Sequence, residues 1–211
     1  MILPRFEYSA AATPAEAISM IAGHGCKAEI MAGGTDIMVN MKRRVVAPDL
    51  IVSIHKLDQL RGFVQRAENQ LRIGVLNTMH DIAASDPMTE RFPALATAAS
   101  GMGSPQIRNR ATIGGNLVSS RPAADTIGPL IGYGAKVRLQ GATDERLVAH
   151  SGCLHRGGGC HSVRILFVGH KAKAETQTDR YVTEIPDKDQ KILQIARERV
   201  AITIWMSSLP G

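Results

Sequence analysis

Two pairs of adjacent glycines, each followed by hydrogen-bonding side chains, are the part of this sequence best suited to chemistry. They lie in the runs Ala32-Gly33-Gly34-Thr35-Asp36-Ile37 and Thr112-Ile113-Gly114-Gly115-Asn116. A Gly-Gly step lets the backbone turn with positive φ and brings its N–H groups close to a ligand. Successive N–H groups that point the same way form a concave nest that suits phosphate oxygens. Two such turns predict a diphosphate that is held from two sides.

The side chains that follow the glycines suit the same ligand. Thr35 and Thr112 can each donate a hydroxyl hydrogen bond, and Asn116 can donate an amide N–H. Asp36 is less obvious beside a diphosphate, because two anions repel each other. We expect its carboxylate to orient the loop by accepting hydrogen bonds from backbone N–H groups, as aspartate does in turns.

A predicted β-α-β unit positions the first glycine pair. Thr13, Pro14 and Glu16 form the pattern of a capped helix start, and glycines end the apolar stripe that follows. Residues 28–32 are predicted to form a strand that runs directly into the first pair. Residues 50–54 are apolar enough to form a second, buried strand.

A second predicted region begins near Lys56 and leads to the second pair. Residues 71–76 and 135–139 alternate as strands with one solvent-facing side. Helices are predicted after Thr78, which is a plausible cap, and over the small side chains of residues 93–99. We expect the second pair, like the first, to lie at the end of a short strand.

The C-terminal part of the sequence is rich in glycine and has no clear periodicity. Its residues Cys153, His155, Cys160 and His161 invite interpretation as a metal site. Their spacing matches none of the standard zinc patterns, and a surface loop explains it equally well, so we predict no metal site. Residues 192–204 are apolar and are predicted as either a helix or a strand.

The composition excludes several classes of function. The chain has 211 residues and a formal net charge of +6, but only 4% of its residues are aromatic. Basic residues cluster at Lys42, Arg43 and Arg44 and again at Arg108 and Arg110, without interleaved aromatic side chains. We therefore expect a solvated basic face and no nucleic-acid site, the functional alternative being charge that faces an anionic cofactor or an acidic partner. With no stretch long enough to span a bilayer and no signal peptide, we expect a cytoplasmic location.

Several motifs in a consistent order make the sequence resemble the FAD-binding (medium) subunit of the molybdenum hydroxylases. The motifs are the two glycine runs, the segment Gly103-Ser104-Pro105-Gln106-Ile107-Arg108-Asn109 and the segment Pro122-Ala123-Ala124-Asp125. The family includes carbon monoxide dehydrogenase, nicotinate dehydrogenase and the flavin domain of xanthine dehydrogenase. The resemblance covers about residues 1–150, is lost from Arg146 onward and returns at residues 181–186.

The resemblance implies an α+β, two-subdomain FAD-binding fold of the PCMH/VAO-like type. It predicts an N-terminal βαβ FAD-binding subdomain over residues 1–55 and a second α+β FAD-binding subdomain over residues 56–185. Residues 186–211 would be the truncated start of a C-terminal subdomain, and the rest of that subdomain is expected to be missing.

The function that the resemblance implies is electron transfer. In this family electrons pass from a molybdenum subunit through a 2Fe–2S subunit to FAD, and then to NAD or another acceptor. The chain has no cysteine set that fits an iron–sulfur cluster, so it would be the flavin subunit of an oxidoreductase complex and active only in that complex. Its partners would be a 2Fe–2S small subunit and a molybdopterin-containing large subunit. The alternative is a catalytically inactive or truncated scaffold or interaction protein that keeps the FAD fold.

The resemblance also implies which residues contact FAD, and it assigns no side chain a role as acid, base or nucleophile. The glycine runs would hold the diphosphate, Asp125 would approach the sugar part, and Val182 would flank the flavin ring. For Asp125 the alternative is a helix N-cap or loop residue, and for Arg108 and Asn109 we expect a structural brace. The implied cofactor-binding set is Ala32, Gly33, Gly34, Thr35, Asp36, Ile37, Thr112, Ile113, Gly114, Gly115, Asn116, Asp125 and Val182.

Overall fold

A computed structural model of the protein describes residues 2–67, 70–119, 124–142, 145–149 and 200–207. These residues form two β-sheets with short helices packed against them, which confirms the predicted α+β class. The strands are β1 Glu7–Ala10, β2 Ala28–Met31, β3 Leu50–Ser53, β4 Phe63–Ala67, β5 Gln70–Gly74, β6 Lys136–Gln140, β7 Glu145–Ala149 and β8 Val200–Ser207. The helices are α1 Pro14–His24, α2 Ile37–Lys42, α3 Met79–Ala84, α4 Asp86–Arg91, α5 Pro93–Gly101, α6 Pro105–Arg108, α7 Ile113–Ser119 and α8 Ile127–Gly132.

Helix α1 begins where its capping residues predict. The Thr13 hydroxyl accepts a hydrogen bond from the Glu16 N–H at 3.1 Å, and the Glu16 carboxylate accepts one from the Ala12 N–H at 2.7 Å. These bonds satisfy backbone donors that the first helical turn leaves without partners. The helix ends at Gly25, whose φ of 54° is a conformation that suits glycine. Its buried side chains are Ala17, Ile18 and Ile21.

The first sheet has three parallel strands in the order β1-β3-β2. All four residues of the central strand β3 are buried, as its apolar sequence predicts. The Ile54 N–H donates to the Met31 carbonyl at 3.0 Å, which keeps the chain after β3 beside the chain after β2. The first glycine pair follows β2, so it lies at the carboxyl edge of this sheet.

The second sheet has five strands in the order β4-β5-β8-β6-β7, and every pairing is antiparallel. Strand β8 lies between β5 and β6, so it belongs to this sheet although the sequence places it in the 186–211 subdomain. The choice between helix and strand for residues 192–204 is thus settled as strand from Val200 onward. The boundaries of the three subdomains stay a prediction.

One apolar core joins both sheets and most helices. It contains Ile18 of α1, Val52 of β3, Ile73 of β5, Leu117 of α7 and Val137 of β6, each with at most 3% of its surface exposed. Burial on this scale fixes the positions of the loops that connect these elements. In the described part of the chain, no helix is long and apolar enough to cross a membrane.

Candidate functional site

The first glycine pair brings the two predicted loops together. Gly34 has a φ of 81°, so its backbone takes the left-handed turn that the sequence predicts. Gly33 has an ordinary φ, and its lack of a side chain serves a close approach. A Cβ on Gly33 would collide with the Arg110 carbonyl group and lie 2.7 Å from its carbon and 3.3 Å from the Ala111 Cα. The first loop therefore packs directly on the backbone that leads into the second loop.

The second glycine pair differs from its prediction. Thr112 makes a single antiparallel bridge with Thr78, and the glycines then form the first turn of α7. Neither Gly114 nor Gly115 has positive φ. A Cβ on Gly114 would lie 2.7 Å from the Val75 Cβ and 2.9 Å from its carbonyl oxygen. The glycine is needed because α7 docks against the chain after β5, and the prediction of a strand end with a positive-φ turn is wrong.

The backbone N–H groups of the two loops differ in whether they donate hydrogen bonds within the protein. In the second loop, four successive N–H groups donate inside the protein: Ile113 to the Asn77 carbonyl, Gly114 to the Val75 carbonyl, Gly115 to the Thr112 hydroxyl and Asn116 to the Thr112 carbonyl.

Among the described residues, by contrast, the N–H groups of Gly33, Gly34 and Thr35 donate to no protein acceptor. The expectation that the glycine N–H groups face a ligand is therefore wrong for the second loop, and for the first loop it stays a prediction. In the second loop, helix capping and docking occupy them.

Asn77 positions the second loop, and the sequence analysis missed it. Its buried amide accepts from the Gly62 N–H and donates to the Gly62 carbonyl, both at 2.8 Å. The backbone carbonyl of Asn77 accepts from the Ile113 N–H at 3.0 Å, which fixes the start of α7. The available signal was a single polar residue between the apolar pair Val75 and Leu76 and the helix cap Thr78.

Replacing Asn77 with alanine is expected to lower the free energy of unfolding by about 1–2 kcal/mol, because the two hydrogen bonds between its buried amide and Gly62 are lost. Chemical denaturation measures this directly. The control is Gln59→Ala, which removes a side-chain amide from an exposed position and is expected to change stability by less than about 0.5 kcal/mol. Equal stability of the two variants would contradict this role of Asn77.

The side-chain oxygen of Asn116 is engaged within the protein. Its Oδ1 accepts from the Thr126 hydroxyl at 2.5 Å, so the Nδ2 hydrogens point away from that contact. Thr126 is fully buried and is the N-cap of α8, and the exposed Asp125 precedes it. The bond ties the segment of Asp125 to the second loop. Asp125 does not cap the helix, since Thr126 occupies that position, but it lies in the turn before α8, as the other half of that alternative states.

The remaining residues predicted to bind the cofactor differ in burial and in their place in the elements. Ala32 is half-buried against the core and Ile113 is fully buried, and their assignment to the cofactor site stays a prediction. Asp36 occupies the N-cap position of α2, but its carboxylate accepts no capping hydrogen bond from that helix. Ile37 begins α2 and is half-buried. Val182 lies outside the described residues, as do Cys153, His155, Cys160 and His161.

The basic clusters divide between two roles. Arg108 donates to the carbonyls of Met102 at 3.1 Å and Gly103 at 2.9 Å, which confirms the predicted brace for Arg108. The expected solvated face is confirmed for residues 42–44, whose side chains are exposed. Arg110 is also exposed, but its backbone touches Gly33.

Two ionisable groups near the first loop have displaced pKa values. Burial lowers the pKa of His55 below 6.5, and the charges of Arg110, Arg61 and Lys56 lower it further. Burial raises the pKa of Glu29, in strand β2, from 4.5 to about 8. The carboxyl of Glu29 is therefore mostly protonated at pH 7.

Comparison with known proteins confirms the resemblance drawn from the motifs. A family model described as the FAD binding domain in molybdopterin dehydrogenase matches residues 4–158. The putative xanthine dehydrogenase FAD-binding subunit XdhB of Escherichia coli (strain K12) is 38% identical over 153 residues, which are 72% of this chain and 51% of that protein. The carbon monoxide dehydrogenase medium chain of Hydrogenophaga pseudoflava is 34% identical over 152 residues, 72% of this chain and 53% of that one.

A solved structure agrees with these sequence relatives. Carbon monoxide dehydrogenase from Hydrogenophaga pseudoflava, in a form that lacks the Mo-pyranopterin moiety of the molybdenum cofactor, matches with a TM-score of 0.79 at 26% identity. The match covers 100% of this chain and 62% of that chain. The present chain spans about half the length of the curated relatives that it matches. It belongs to the family of FAD-binding domains found in molybdopterin dehydrogenases.

Proposed function

We propose that this chain holds FAD and transfers electrons as the flavin subunit of a molybdenum-containing hydroxylase or dehydrogenase. The observation that carries the proposal is the contact between Gly33 and the Arg110 backbone, which joins the two glycine loops into one site. Family membership supplies the identity of the cofactor.

The residues at the junction fit a dinucleotide diphosphate. The N–H groups of Gly33, Gly34 and Thr35 lack acceptors within the described structure, and such donors in a glycine loop bind phosphate oxygens. The Thr112 hydroxyl and the Asn116 amide add donors from the second loop.

Asp125 is proposed to accept hydrogen bonds from the sugar hydroxyls. The Asn116–Thr126 bond supports this assignment, because it holds the neighbouring residue against the second loop. A carboxylate suits hydroxyl donors better than it suits the diphosphate, which carries charge of the same sign.

When bound, the flavin supplies the redox chemistry, and this chain contributes position and electrostatics. We propose that a 2Fe–2S subunit delivers the electrons and that NAD or another acceptor receives them. A molybdopterin-containing subunit would carry the substrate site. The relatives named as carbon monoxide dehydrogenase medium chain and xanthine dehydrogenase FAD-binding subunit support this assignment.

The first test is to add FAD to the purified chain and to record the absorption spectrum after removal of free flavin. The proposal predicts a yellow protein with the two visible flavin bands. A chain that remains colourless would contradict it. Co-purification of iron–sulfur and molybdenum partners from the native source tests the complex separately.

Replacing Thr112 with valine is expected to lower both stability and FAD affinity. The loss of the cap on Gly115 should cost about 1 kcal/mol of unfolding free energy, and the loss of the hydroxyl donor should weaken FAD binding about fivefold. Denaturation and calorimetric titration measure the two effects. Thr112→Ser keeps the hydroxyl and should behave like the wild type, whereas the exposed Thr97→Val is a control for loss of a hydroxyl. A serine variant as impaired as the valine variant would rule out the hydroxyl as the cause.

A further inference from the structure

Basic residues lie beside the first glycine loop. His55 follows β3, and the hydrogen bond from the Ile54 N–H to the Met31 carbonyl places it beside the residues that enter the loop. The carbonyl group of Arg110 packs on Gly33, and the charge of its guanidinium acts on His55. Lys56 follows His55 directly and is exposed.

Arg61 holds the His55 side of this arrangement in place. Its guanidinium donates to the His55 carbonyl at 2.9 Å and to the Leu76 carbonyl at 3.0 Å. Its Nη2 also lies 3.4 Å from the His55 Nδ1, and its Nε is 3.7 Å from an Asp58 carboxylate oxygen. Arg61 is therefore a structural clamp, because both of its terminal nitrogens donate hydrogen bonds within the protein.

Among the described residues, the side chains of Arg110 and Lys56 form no comparable hydrogen bonds. Neither forms an ion pair within the described part of the chain. Both charges nevertheless act on the half-buried His55, where they favour the neutral ring. Like charges gathered at one place are stabilised when an anion lies among them.

The loops themselves supply limited positive charge. A diphosphate carries two negative charges, and the carboxylates of Asp36 and Asp125 belong to the same predicted site. The second loop has used its backbone N–H groups for capping and docking. Side-chain charge must therefore come from residues next to the loops.

We propose that Arg110, assisted by Lys56, binds the diphosphate of the dinucleotide as the cationic side of the site, with Arg61 and His55 as its support. This assignment rests on the proposed function and names the side chains that give the site its preference for a phosphorylated cofactor. A guanidinium suits this role because its planar N–H groups match phosphate oxygens.

The test compares FAD and ADP binding to the wild type and to Arg110→Gln, Arg110→Lys and Lys136→Gln by calorimetric titration. Arg110→Gln should weaken both ligands about tenfold, because it removes a charge-assisted contact to the diphosphate. Arg110→Lys should recover much of the loss, and its affinity should fall with added salt more steeply than that of Arg110→Gln. Lys136→Gln removes an equal charge from an exposed position in the second sheet and should bind like the wild type.

The outcomes separate this inference from the proposed function. If the wild type binds FAD and Arg110→Gln binds it equally tightly, the inference is overturned and the proposed function stands. If Arg110→Lys is as weak as Arg110→Gln with the same salt dependence, charge is not the cause and the inference also fails. If the wild type itself binds neither FAD nor ADP, the proposed function fails and this inference with it. Thermal melting of each variant checks that the fold is retained.

Discussion

Gly33→Ala is expected to weaken FAD binding at least about 100-fold and to lower the free energy of unfolding by about 2–3 kcal/mol. The added methyl group would collide with the Arg110 carbonyl group and lie 3.3 Å from the Ala111 Cα. Both obstacles are backbone atoms and not flexible side chains. Overpacking at a rigid contact of this kind typically costs about 1–3 kcal/mol. The two loops would have to separate, and a site built from both would lose its geometry.

The chain offers matched controls for this substitution. A methyl group added at Gly23 in α1 would meet no atom within 4 Å, and the φ of this residue is ordinary. Gly23→Ala should therefore stabilise the fold by about 0.5–1 kcal/mol and leave FAD binding unchanged. Gly115→Ala is an intermediate case, since its Cβ would lie 3.0 Å from the Thr112 hydroxyl oxygen. Wild-type FAD affinity in Gly33→Ala would show that the contact between the loops does not shape the site.

Glu29→Gln is expected to remove a marked pH dependence of stability. The pKa of this carboxyl is 4.5 unfolded and about 8 in the fold, because burial disfavours the charged form. Between these values the folded chain holds a proton that the unfolded chain has released. The stabilisation is therefore complete below pH 4.5 and is lost as pH rises towards 8, by roughly 1.4 kcal/mol per pH unit.

The window from about pH 6.5 to 8 isolates this effect. His55, whose pKa is lowered below 6.5, contributes a change of opposite sign at lower pH, where the unfolded chain binds the extra proton. Urea unfolding across the window should show falling stability for the wild type and a flatter profile for Glu29→Gln. Glu90→Gln alters an exposed carboxylate and should keep the wild-type slope. Parallel profiles for wild type and Glu29→Gln would contradict the burial of this carboxyl.

Local signals predicted the elements of the first sheet well. The capping pattern at Thr13 and Glu16 placed the start of α1, and the apolar run at residues 50–54 placed the buried strand β3. Both depend on interactions between near neighbours in sequence or on continuous apolarity. The strand before Gly33 was predicted for the same reason.

The roles of the individual glycines could not be predicted in this way. Gly34 adopts positive φ, a local property, whereas Gly33 and Gly114 are needed for contacts with Arg110 and Val75, distant in sequence. The same limit applies to Asn77, whose partners lie in two other elements. Strand β8 is a further example, because its place between β5 and β6 depends on pairing with residues far away in the sequence.

The same contrast applies to the candidate site, where short motifs were predictive and contacts between residues distant in sequence were not. The motif residues predicted that a diphosphate lies between two loops, and the structure brings those loops into contact through Gly33. Neither His55 nor Arg61 belongs to a sequence motif, so their place beside the loop was not predicted. Their relation to the loop depends on the hydrogen bond between Ile54 and Met31 and on the Arg61 contacts to backbone carbonyls.

The most direct test of the central claim is a ¹H–¹⁵N correlation spectrum of the chain during titration with FAD. The proposed site predicts that the backbone signals of Gly33, Gly34 and Thr35 and the side-chain amide of Asn116 shift most and saturate together. Gly101, exposed at the end of α5, should shift little. Saturable FAD binding that leaves the signals of Gly33, Gly34 and Thr35 unchanged would contradict the claim that these loops hold the diphosphate.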